Sequence, residues 1–346
     1  MRRNNGRGAR RQPYWNQEAG SRYMKWSYQI GKPFGIPLRV HVTFLILLLL
    51  AAWGGANLTH SWRGTAMWVA FMSAIFSCVV LHELVHSLQA RRYGIRVTSI
   101  LLLPIGGVAQ MERIPEDPNQ ELTISIMGPV TNVVIALLIA LPVWVFAGPE
   151  RLHVTRANMD PATNFWGALV LTNVGLAVFN LLPAFPMDGG RMLRAVLAQH
   201  LDYVRATDIA ARVGQICAFA MGLSVLWHNN WILVFIAFMV YIGATHEARM
   251  VRARAVLRRI PVSYTMATAF SVVSPSDFIG TVLAYSAQAY QHDFPVVQDG
   301  RLVGVVGHEQ MVKALRERGP YVTVHEVMQR GVPMVTLTDN LYDLQE

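Results

Sequence analysis

Residues 66–90 read AMWVAFMSAIFSCVVLHELVHSLQA, an apolar run that holds three ionisable side chains near its end. Its length matches the about 17–25 residues that a helix needs to cross the hydrocarbon of a membrane. His82, Glu83 and His86 nevertheless lie within it. Ionisable side chains in an apolar span are costly unless they face a cavity and serve a function. The stretch therefore predicts a membrane-spanning helix that carries a polar site.

Apolar runs of similar length recur along the chain. Of its 346 residues, 53% are hydrophobic and only 15% are charged, whereas soluble proteins carry about 25% charged residues. This composition excludes an ordinary soluble protein. Six membrane-spanning helices are predicted near residues 40–57, 66–90, 121–147, 164–182, 209–227 and 231–248. Only residues 228–230 separate the last two, which predicts a tight helical hairpin.

The distribution of lysine and arginine predicts the orientation, because basic residues are retained on the cytoplasmic side of short loops. With the N-terminus in the cytoplasm, the cytoplasmic segments hold 21 basic residues and the opposite loops hold 3. The cytoplasmic segments in this comparison are 1–39, 91–120, 183–208 and 249–261. We therefore expect a multi-pass protein of the cytoplasmic (inner) cell membrane with both termini in the cytoplasm.

The first 39 residues carry nine basic side chains against Glu18 alone. Nucleic-acid binding is one interpretation of such a tail. Next to a membrane span, however, a basic tail more often supplies topology and contact with anionic lipid. We therefore expect the lipid bilayer, and no nucleic acid, as its partner. No apolar stretch long enough for a cleavable signal peptide lies in these residues, so the first span is expected to serve as the signal.

The chain is predicted to have four segments, which are a basic N-terminal tail (1–33), a transmembrane core (34–248), a basic connector (249–262) and a soluble tail (263–346). In the soluble tail, short β-type runs at 294–297 and 302–306 alternate with helical stretches. Asp299-Gly300, between these two runs, is a hairpin turn signal. This pattern is typical of a small α/β domain.

Residues 95–110 do not follow a helical pattern. The segment begins with β-branched residues and then contains Pro104, Gly106 and Gly107, which predicts strands with a sharp reversal. Such backbone survives at membrane depth only where protein or a wet cavity satisfies its polar groups. We expect this segment to line the cavity of the polar site. The predicted fold class is a mainly α polytopic membrane protein with a membrane-associated β segment and a small α/β soluble domain.

The HExxH motif at 82–86 predicts a zinc site. On a helix, this spacing places His82 and His86 on one face, where both imidazoles can chelate one ion. Glu83 can then reach a water on the ion, whose pKa zinc lowers toward about 7, and act as a general base in amide hydrolysis. The same motif occurs by chance in helices of soluble proteins. Its position inside an apolar span favours the functional interpretation.

A catalytic zinc ion usually has three protein ligands and one open position. Asp188 stands at the cytoplasmic end of the predicted fourth span, and His82 and His86 lie near the cytoplasmic end of the second. The two motifs are therefore expected at similar depth, which favours a metal ligand over the alternative of a helix cap or turn residue. Arg191 and Arg194 are expected to anchor the following helix at the lipid surface.

Four motifs resemble the site-2 protease family of intramembrane metalloproteases. They are HELVH at 82–86, LPIGGVA at 103–109, Gly128-Pro129 and the segment from Asn180 to Arg191. The resemblance covers about residues 30–345. It looks closest to the prokaryotic branch with six spans and a C-terminal CBS domain, and no PDZ-like insertion is apparent.

This resemblance implies a metal site and a substrate cleft. One zinc ion per chain would be bound by His82, His86 and Asp188. Glu83 would be the general base, and Asn180 a polar partner near the reacting carbonyl. The substrate would be a transmembrane or membrane-tethered protein or peptide, and we expect it to add as a strand to residues 95–110. The residues that would border its cleft are Gly106, Gly107, Pro183 and Pro186.

The soluble tail resembles a CBS domain from Tyr264 through residue 306, and a second, incomplete copy begins at Val327-Met328. CBS domains usually work in pairs and often bind adenine nucleotides. The family's hydroxyl and acidic nucleotide contacts correspond here to Gly307 and Gln310. The resemblance therefore leaves two roles open, which are adenine-nucleotide sensing and a structural or dimerising role that would make the protein a homo-oligomer.

Three classes of function compete. The first is an intramembrane zinc endopeptidase that acts in regulated intramembrane proteolysis. The second is a catalytically inactive membrane scaffold that binds regulatory proteins, and the intact set of His82, Glu83, His86 and Asp188 argues against it. The third is a transporter or metal-handling protein, which would require polar residues distributed through several spans. The polar residues here concentrate at one depth, which favours the endopeptidase.

Overall fold

The computed structural model describes residues 26–104, 106–112, 115–152, 160–289, 291–332, 334–342 and 344. The chain divides into two compact units, and the division falls between Ala253 and Arg254. The predicted end of the core, residue 248, lies within a helix that continues to Leu257. Most of the basic tail lies outside the described residues, so its contact with lipid stays a prediction.

Helices make up most of the first unit. They are α1 (Thr43–Thr59), α2 (Trp62–Arg92), α3 (Pro118–Ala147), α4 (Phe165–Asn180), α5 (Asp188–Ala198), α6 (Tyr203–Leu223), α7 (Val225–His228) and α8 (Trp231–Leu257). Four helical stretches of the described residues are long and apolar enough to cross a membrane, namely α2, α3, α6 together with α7, and α8. The apolar helices α1 and α4 are shorter, at 17 and 16 residues. Each predicted span thus corresponds to an apolar helix, while the count of six crossings stays a prediction.

Polar caps set the start of three of these helices. The side chain of Asp117 accepts hydrogen bonds from the backbone N–H groups of two residues in the first turn of α3, which also begins with Pro118. Asn164 accepts from Gly167 at the start of α4, and Asp202 caps α6 in the same way. Such side chains satisfy backbone donors that the first turn leaves unpaired. The chain therefore enters each helix at a defined residue.

The hairpin predicted at 228–230 is confirmed. α7 ends at His228, and α8 begins at Trp231. Asn229 adopts a left-handed conformation with φ of 48°. Asparagine is among the few residues that adopt this conformation readily, which explains how so short a turn reverses the chain.

A four-stranded sheet packs beside α2. Its strands are β1 (Ser27–Gly31), β2 (Leu38–His41), β3 (Val97–Leu103) and β4 (Gly106–Met111), in that spatial order. The β3–β4 pair is antiparallel, with Leu102 opposite Gly107, which confirms the predicted reversal within 95–110. β2 runs parallel to β3, a pairing that local sequence did not indicate. Because β2 occupies Leu38–His41, α1 begins at Thr43 and not at residue 40 as predicted.

The sheet is held to the motif-bearing helix by an apolar cluster. Ile36, Leu38, Ile100 and Leu102 are buried against Leu84, which lies inside the HExxH motif. Burial of a large aliphatic side chain contributes about 1.5–3 kcal/mol. The cluster therefore sets the distance between the sheet and the side of α2 that carries the motif.

The second unit is a small α/β domain, as predicted. It contains the helices α9 (Ile279–Ala289) and α10 (His308–Arg318) and an antiparallel pair of strands, β5 (Asp293–Gln298) and β6 (Arg301–Gly307). Asp299 and Gly300 both have positive φ, as the predicted hairpin turn requires. Its core is formed by buried residues of both strands and both helices, including Phe294, Val306 and Met311.

The start of the predicted second CBS copy packs onto this same core. Val327 and Met328 lie against the buried cluster. Gln329 exchanges two backbone hydrogen bonds with Val305 of β6, at 3.0 and 2.8 Å. Gly304 packs against the backbone of Gln329, because a Cβ at position 304 would be 2.5 Å from the carbonyl oxygen of Gln329. The assignment of the unit as a CBS domain stays a proposal.

Candidate metal centre

Three buried side chains from two distant parts of the chain converge in the first unit. His82 and His86 lie one turn apart on α2, and Asp188 is the first residue of α5. The Nε2 atoms of the two histidines are 3.0 Å apart, and Oδ2 of Asp188 is 3.2 Å from each of them. The two motifs that the sequence predicted to meet are thus brought together.

The triangle formed by these three atoms fits a zinc ion. Zinc binds imidazole nitrogen and carboxylate oxygen at about 2.0–2.2 Å in a tetrahedron, which places neighbouring ligand atoms about 3.3–3.5 Å apart. The three edges observed are 3.0, 3.2 and 3.2 Å, slightly tighter than that. Two imidazoles and one carboxylate form the ligand set of a catalytic site, in which the fourth position stays open.

A backbone carbonyl orients one of the two imidazoles. Nδ1 of His86 lies 2.7 Å from the carbonyl oxygen of Ile124 on α3. A carbonyl can only accept, so Nδ1 is the donor and the lone pair of the neutral ring lies on Nε2, which faces Asp188. This arrangement is the usual support for a metal-binding histidine. Nδ1 of His82 is buried and makes no hydrogen bond within the described part of the chain.

Gly128 of α3 packs directly against both imidazoles. A Cβ at this position would overlap Nε2 of His86 and would lie 2.5 Å from Cε1 and Nε2 of His82. Glycine therefore lets α3 approach the metal centre more closely than any other residue would. In the sequence, Gly128 stood out only as part of a family resemblance. A glycine before a proline in an otherwise apolar helix was the available signal, because glycine weakens a helix unless close approach requires it.

Glu83 lies on the side of α2 that faces β4. A Cβ at Gly107 would be 2.5 Å from Cγ of Glu83, so the strand backbone lies in contact with this side chain. The expectation that residues 95–110 line the polar site is confirmed at this position. Gly106 has a φ of 139°, which residues with a Cβ rarely adopt, so it allows the turn into β4.

Close contacts with two glycines hold the segment that leads to Asp188. A Cβ at Gly243 of α8 would be 2.7 Å from Cδ of Pro186. A Cβ at Gly190 would be 2.6 Å from the backbone of Ala184. The second glycine after Asp188 thus allows the start of α5 to fold back onto the preceding loop. Pro186 is exposed on its other side.

The remaining predicted residues lie nearby in sequence. Asn180 is the last residue of α4, and its Nδ2 donates to the carbonyl oxygen of Leu176 in the same helix at 3.0 Å. Pro183 is half-buried in the loop between α4 and α5. The roles of Asn180, Pro183 and Pro186 toward a substrate stay predictions.

The expectation that Arg194 anchors α5 at the lipid surface is wrong. Its side chain is fully buried and forms ion pairs with Glu121 of α3 and Glu247 of α8. Lysine or arginine near a helix end usually reaches for the surface. Here two carboxylates from other helices compensate the buried charge, and neither of them is a sequence neighbour of Arg194.

Comparisons with known proteins agree with this geometry. Residues 70–159 and 146–221 match a family model described as Peptidase family M50. A zinc metalloprotease of Methanocaldococcus jannaschii is 34% identical over 91% of this chain and 86% of its own length. Stage IV sporulation protein FB of Bacillus subtilis is 24% identical over 47% of this chain and 54% of its own.

Among solved structures, a site-2 protease from Methanocaldococcus jannaschii has 38% sequence identity to this chain. The match covers 64% of this chain and 95% of that one, with a TM-score of 0.48. The 34% identity to the zinc metalloprotease relative over 91% of this chain, together with the family match across the HExxH motif and Asp188, settles the assignment. The chain belongs to peptidase family M50, the site-2 protease family, and is a membrane protein related to zinc metalloproteases.

Proposed function

We propose that this protein is an intramembrane zinc endopeptidase that cleaves transmembrane or membrane-tethered protein substrates. The observation that carries the proposal is the convergence of His82, His86 and Asp188 beside Glu83 in a buried site. Membership of the M50 family supports proteolysis as the reaction. His82, Glu83 and His86 lie on α2, which is long and apolar enough to cross a membrane, and this supports a substrate that is itself in the membrane.

The site supplies the parts that metal-assisted amide hydrolysis needs. His82, His86 and Asp188 would hold one zinc ion per chain, which when bound activates a water molecule and polarises the scissile carbonyl. Glu83 would act as the general base, taking a proton from the attacking water on a carboxylate oxygen and delivering it to the leaving nitrogen. Contact with the backbone of Gly107 restricts the side chain of Glu83 to one side of α2. Asn180 serves as a polar partner near the reacting carbonyl.

The substrate would bind as an extended strand on β4. β3 lies between β2 and β4, and β4 is the outer strand of the four. An added strand pairs with the backbone of an exposed sheet edge. Because Gly107 of β4 touches Glu83, this pairing brings a substrate amide to the catalytic carboxylate. Gly106, Pro183 and Pro186 would border the same cleft.

Strand addition also predicts a property of the substrates. A transmembrane helix satisfies its own carbonyl groups, so it must unwind locally before it can pair with β4. Residues of weak helix propensity, such as glycine and proline, lower the cost of unwinding by about 1–3 kcal/mol each. We therefore expect such residues near the cleavage site.

The excess of basic residues in one set of loops supports a location in the cytoplasmic membrane with both termini in the cytoplasm. With that orientation, cleavage would release products to the cytoplasmic side. This outcome fits regulated intramembrane proteolysis, in which a membrane-tethered factor is set free.

For the second unit we infer a structural or dimerising role. At the positions that correspond to nucleotide contacts in CBS domains, Gln310 is already engaged within its own chain. Its Oε1 accepts a hydrogen bond from the backbone N–H of Gly307 at 2.6 Å. This contact caps α10, so the side chain contributes to the fold of the unit itself. Self-association through this unit would make the protein a homo-oligomer.

A comparison of bound zinc with cleavage tests the proposed function. The purified protein in lipid nanodiscs is assayed for zinc content and for cleavage of a transmembrane peptide with glycine near its middle. We expect the wild type to hold one zinc ion and to cut. Glu83→Gln should keep the zinc and lose cleavage, whereas Asp188→Ala should lose both. Glu112→Gln, at an exposed glutamate just after β4, is the matched control and should behave as the wild type.

The outcomes separate the competing functions. A wild type that binds zinc and cuts no membrane peptide would favour a catalytically inactive scaffold. Full cleavage by Glu83→Gln would refute the role of Glu83 as general base. A wild type that binds no zinc would refute the metal centre itself.

A further inference from the structure

A fully buried arginine lies between the helices that build the metal centre. Nε of Arg194 on α5 donates to Oε1 of Glu121 at 2.9 Å, and its Nη2 contacts the same oxygen. Nη1 donates to Oε1 of Glu247 on α8 at 2.6 Å. The rings of Phe185 and Tyr203 lie 4.9 and 5.0 Å from the guanidinium carbon. The guanidinium thus contacts four side chains from four different segments.

Glu121, the partner of Arg194 on α3, lies on the same helix as the residues that contact His82 and His86. Glu121 lies in the first turn of α3, and Ile124, on the next turn, provides the carbonyl that orients His86. One further turn along the same helix, Gly128 packs against both imidazoles. Glu121, Ile124 and Gly128 are three and four residues apart, so they share one face of α3. A shift of Glu121 would therefore move the groups that hold the histidines.

Phe185 and Glu247, two other partners of Arg194, lie close to the segment that carries Asp188. Asp188 begins the helix that carries Arg194, and Phe185 belongs to the loop immediately before Asp188. Glu247 lies one turn from Gly243, which packs against Pro186 of the same loop. Arg194 lies on α5, which begins at Asp188. Its side chain contacts the loop before Asp188 through Phe185 and contacts α8 through Glu247.

We propose that Arg194 is a positioning residue of the metal centre. It holds the Asp188 carboxylate at the position where it can share one metal ion with His82 and His86. This inference rests on the proposed function, because it assigns Arg194 a role in zinc binding. The guanidinium has a fixed planar geometry, which limits the directions from which two carboxylates on separate helices can approach it. The ion pairs therefore fix how α5 sits against α3, and with it the triangle of ligand atoms.

A role in stability alone explains the network less well. Replacement of a buried ion pair by apolar residues of similar volume is often neutral or stabilising, because the desolvation of the charges offsets their attraction. Removal of only one partner is strongly destabilising, because it leaves an unpaired buried charge. A variant that lacks both charges can therefore separate correct positioning from folding.

The test compares zinc affinity with thermal stability in the full-length protein. Arg194→Met combined with Glu121→Met removes the buried pair without leaving either charge alone, and Glu247 keeps access to water through its partly exposed side chain. Arg194→Lys keeps the charge and loses the planar fork. The matched control is Arg252→Met, which breaks the ion pair of Arg252 with Asp208 that links α8 to α6 and involves neither α3 nor α5.

Zinc affinity is measured by competition with a chelator, and the geometry of the centre by the visible absorption of the cobalt-loaded protein. Loss of a group that supports a metal ligand typically lowers affinity about 10–100-fold. We expect a loss of this size in the double variant at an unchanged melting temperature of the zinc-free protein. Arg194→Lys should show a smaller loss and an altered cobalt spectrum. Arg252→Met should bind zinc as the wild type does.

Wild-type zinc affinity and an unaltered cobalt spectrum in the folded double variant would overturn the proposal. If the double variant does not fold, Arg194→Lys decides, since a folded lysine variant with full zinc affinity would overturn it equally. These outcomes are distinct from failure of the proposed function, in which the wild type itself would bind no zinc or cut no substrate.

Discussion

Gly128 on α3 lies so close to His86 on α2 that a Cβ at position 128 would be only 2.2 Å from the histidine's Nε2 atom. This contact joins two helices at the atom that would bind the metal. On one side of the ring, the carbonyl oxygen of Ile124 holds Nδ1 at 2.7 Å. On the other side, the backbone of Gly128 limits the position of Nε2. Helix α3 thus determines which ring nitrogen of His86 carries the proton, and it also determines where the ring lies.

Gly128→Ala should reduce zinc binding. The added methyl group must displace both imidazoles, because it meets ring atoms of His82 as well as His86. We expect zinc affinity to fall at least about 10-fold, as for other changes in the support of a ligand. Competition with a chelator measures this loss.

The control for this prediction is Gly175→Ala, a substitution in the interior of α4 where a Cβ would meet no atom within 4 Å. This variant should bind zinc normally and gain about 0.5–1 kcal/mol of stability, because alanine favours a helix over glycine. Normal zinc affinity of Gly128→Ala would contradict the close contact between α3 and the two imidazoles.

Gly107→Ala should impair cleavage while zinc binding persists. A Cβ at this position would be 2.5 Å from Cγ of Glu83, so the carboxylate must move. Misplacement of a catalytic group by about 1 Å can cost about 100-fold in rate. We expect kcat to fall by this order with one zinc ion still bound.

Gly31→Ala is the matched control for this variant. It adds the same methyl group to β1 of the same sheet, where nothing lies within 4 Å, and should leave kcat unchanged. Loss of zinc together with cleavage in Gly107→Ala would show that this strand supports the ligands and not the base.

Proline substitutions in β4 should reveal the substrate edge. Successive residues of an edge strand direct their backbone N–H groups alternately to the neighbouring strand and outward. Of Val108→Pro and Ala109→Pro, one removes a bond to β3 and the other a donor available to a substrate. The latter variant should fold normally and lose about 0.5–1.5 kcal/mol of substrate binding per lost hydrogen bond, a rise in KM of about 2–12-fold.

Michaelis kinetics on a transmembrane peptide, together with thermal unfolding, checks this prediction. Proline at Ile100 in β3 would disrupt the sheet itself, because Ile100 is paired with Leu38 of β2 and with Ala109 of β4. Val97 is paired with Met111 of β4, so proline there would also remove contacts within the sheet. If both β4 variants fold and keep the wild-type KM, strand addition at this edge is refuted.

Addition of ATP should leave the stability of the second unit unchanged. A ligand at 100 times its dissociation constant adds about 2.7 kcal/mol to the free energy of unfolding, so binding would be readily detected. We expect no shift in melting temperature, because Gln310 caps α10. Thermal unfolding with and without ATP and Mg²⁺ is the measurement, and a clear rise in melting temperature would restore the nucleotide-sensing role.

Residues that act through local spacing were predictable. The HExxH interval puts two imidazoles on one helix face wherever that helix lies, and the short polar interval at 228–230 forces a reversal. The reversal between β3 and β4 followed from proline and glycine in the same segment. Each of these features depends on residues a few positions apart, so the backbone geometry alone carries it.

Contacts between remote segments were not predictable in the same way. Arg194 was assigned to the lipid surface because its neighbours in sequence say nothing of Glu121 or Glu247. Gly128 must be a glycine because of His82 and His86, which lie on another helix. The parallel pairing of β2 with β3 joins segments that are separated by two helices.

By itself, the amino-acid sequence determined that apolar helices carry a zinc-binding motif and that Asp188 is the third ligand to be sought, since side-chain chemistry and helical period are properties of the chain. Only the tertiary structure decided which glycines face the metal centre, which strand is left at the edge, and which carboxylates surround Arg194. These features arise when helices pack to within a few ångströms of one another. That approach depends on the shape of every surface in contact, and no single segment contains it.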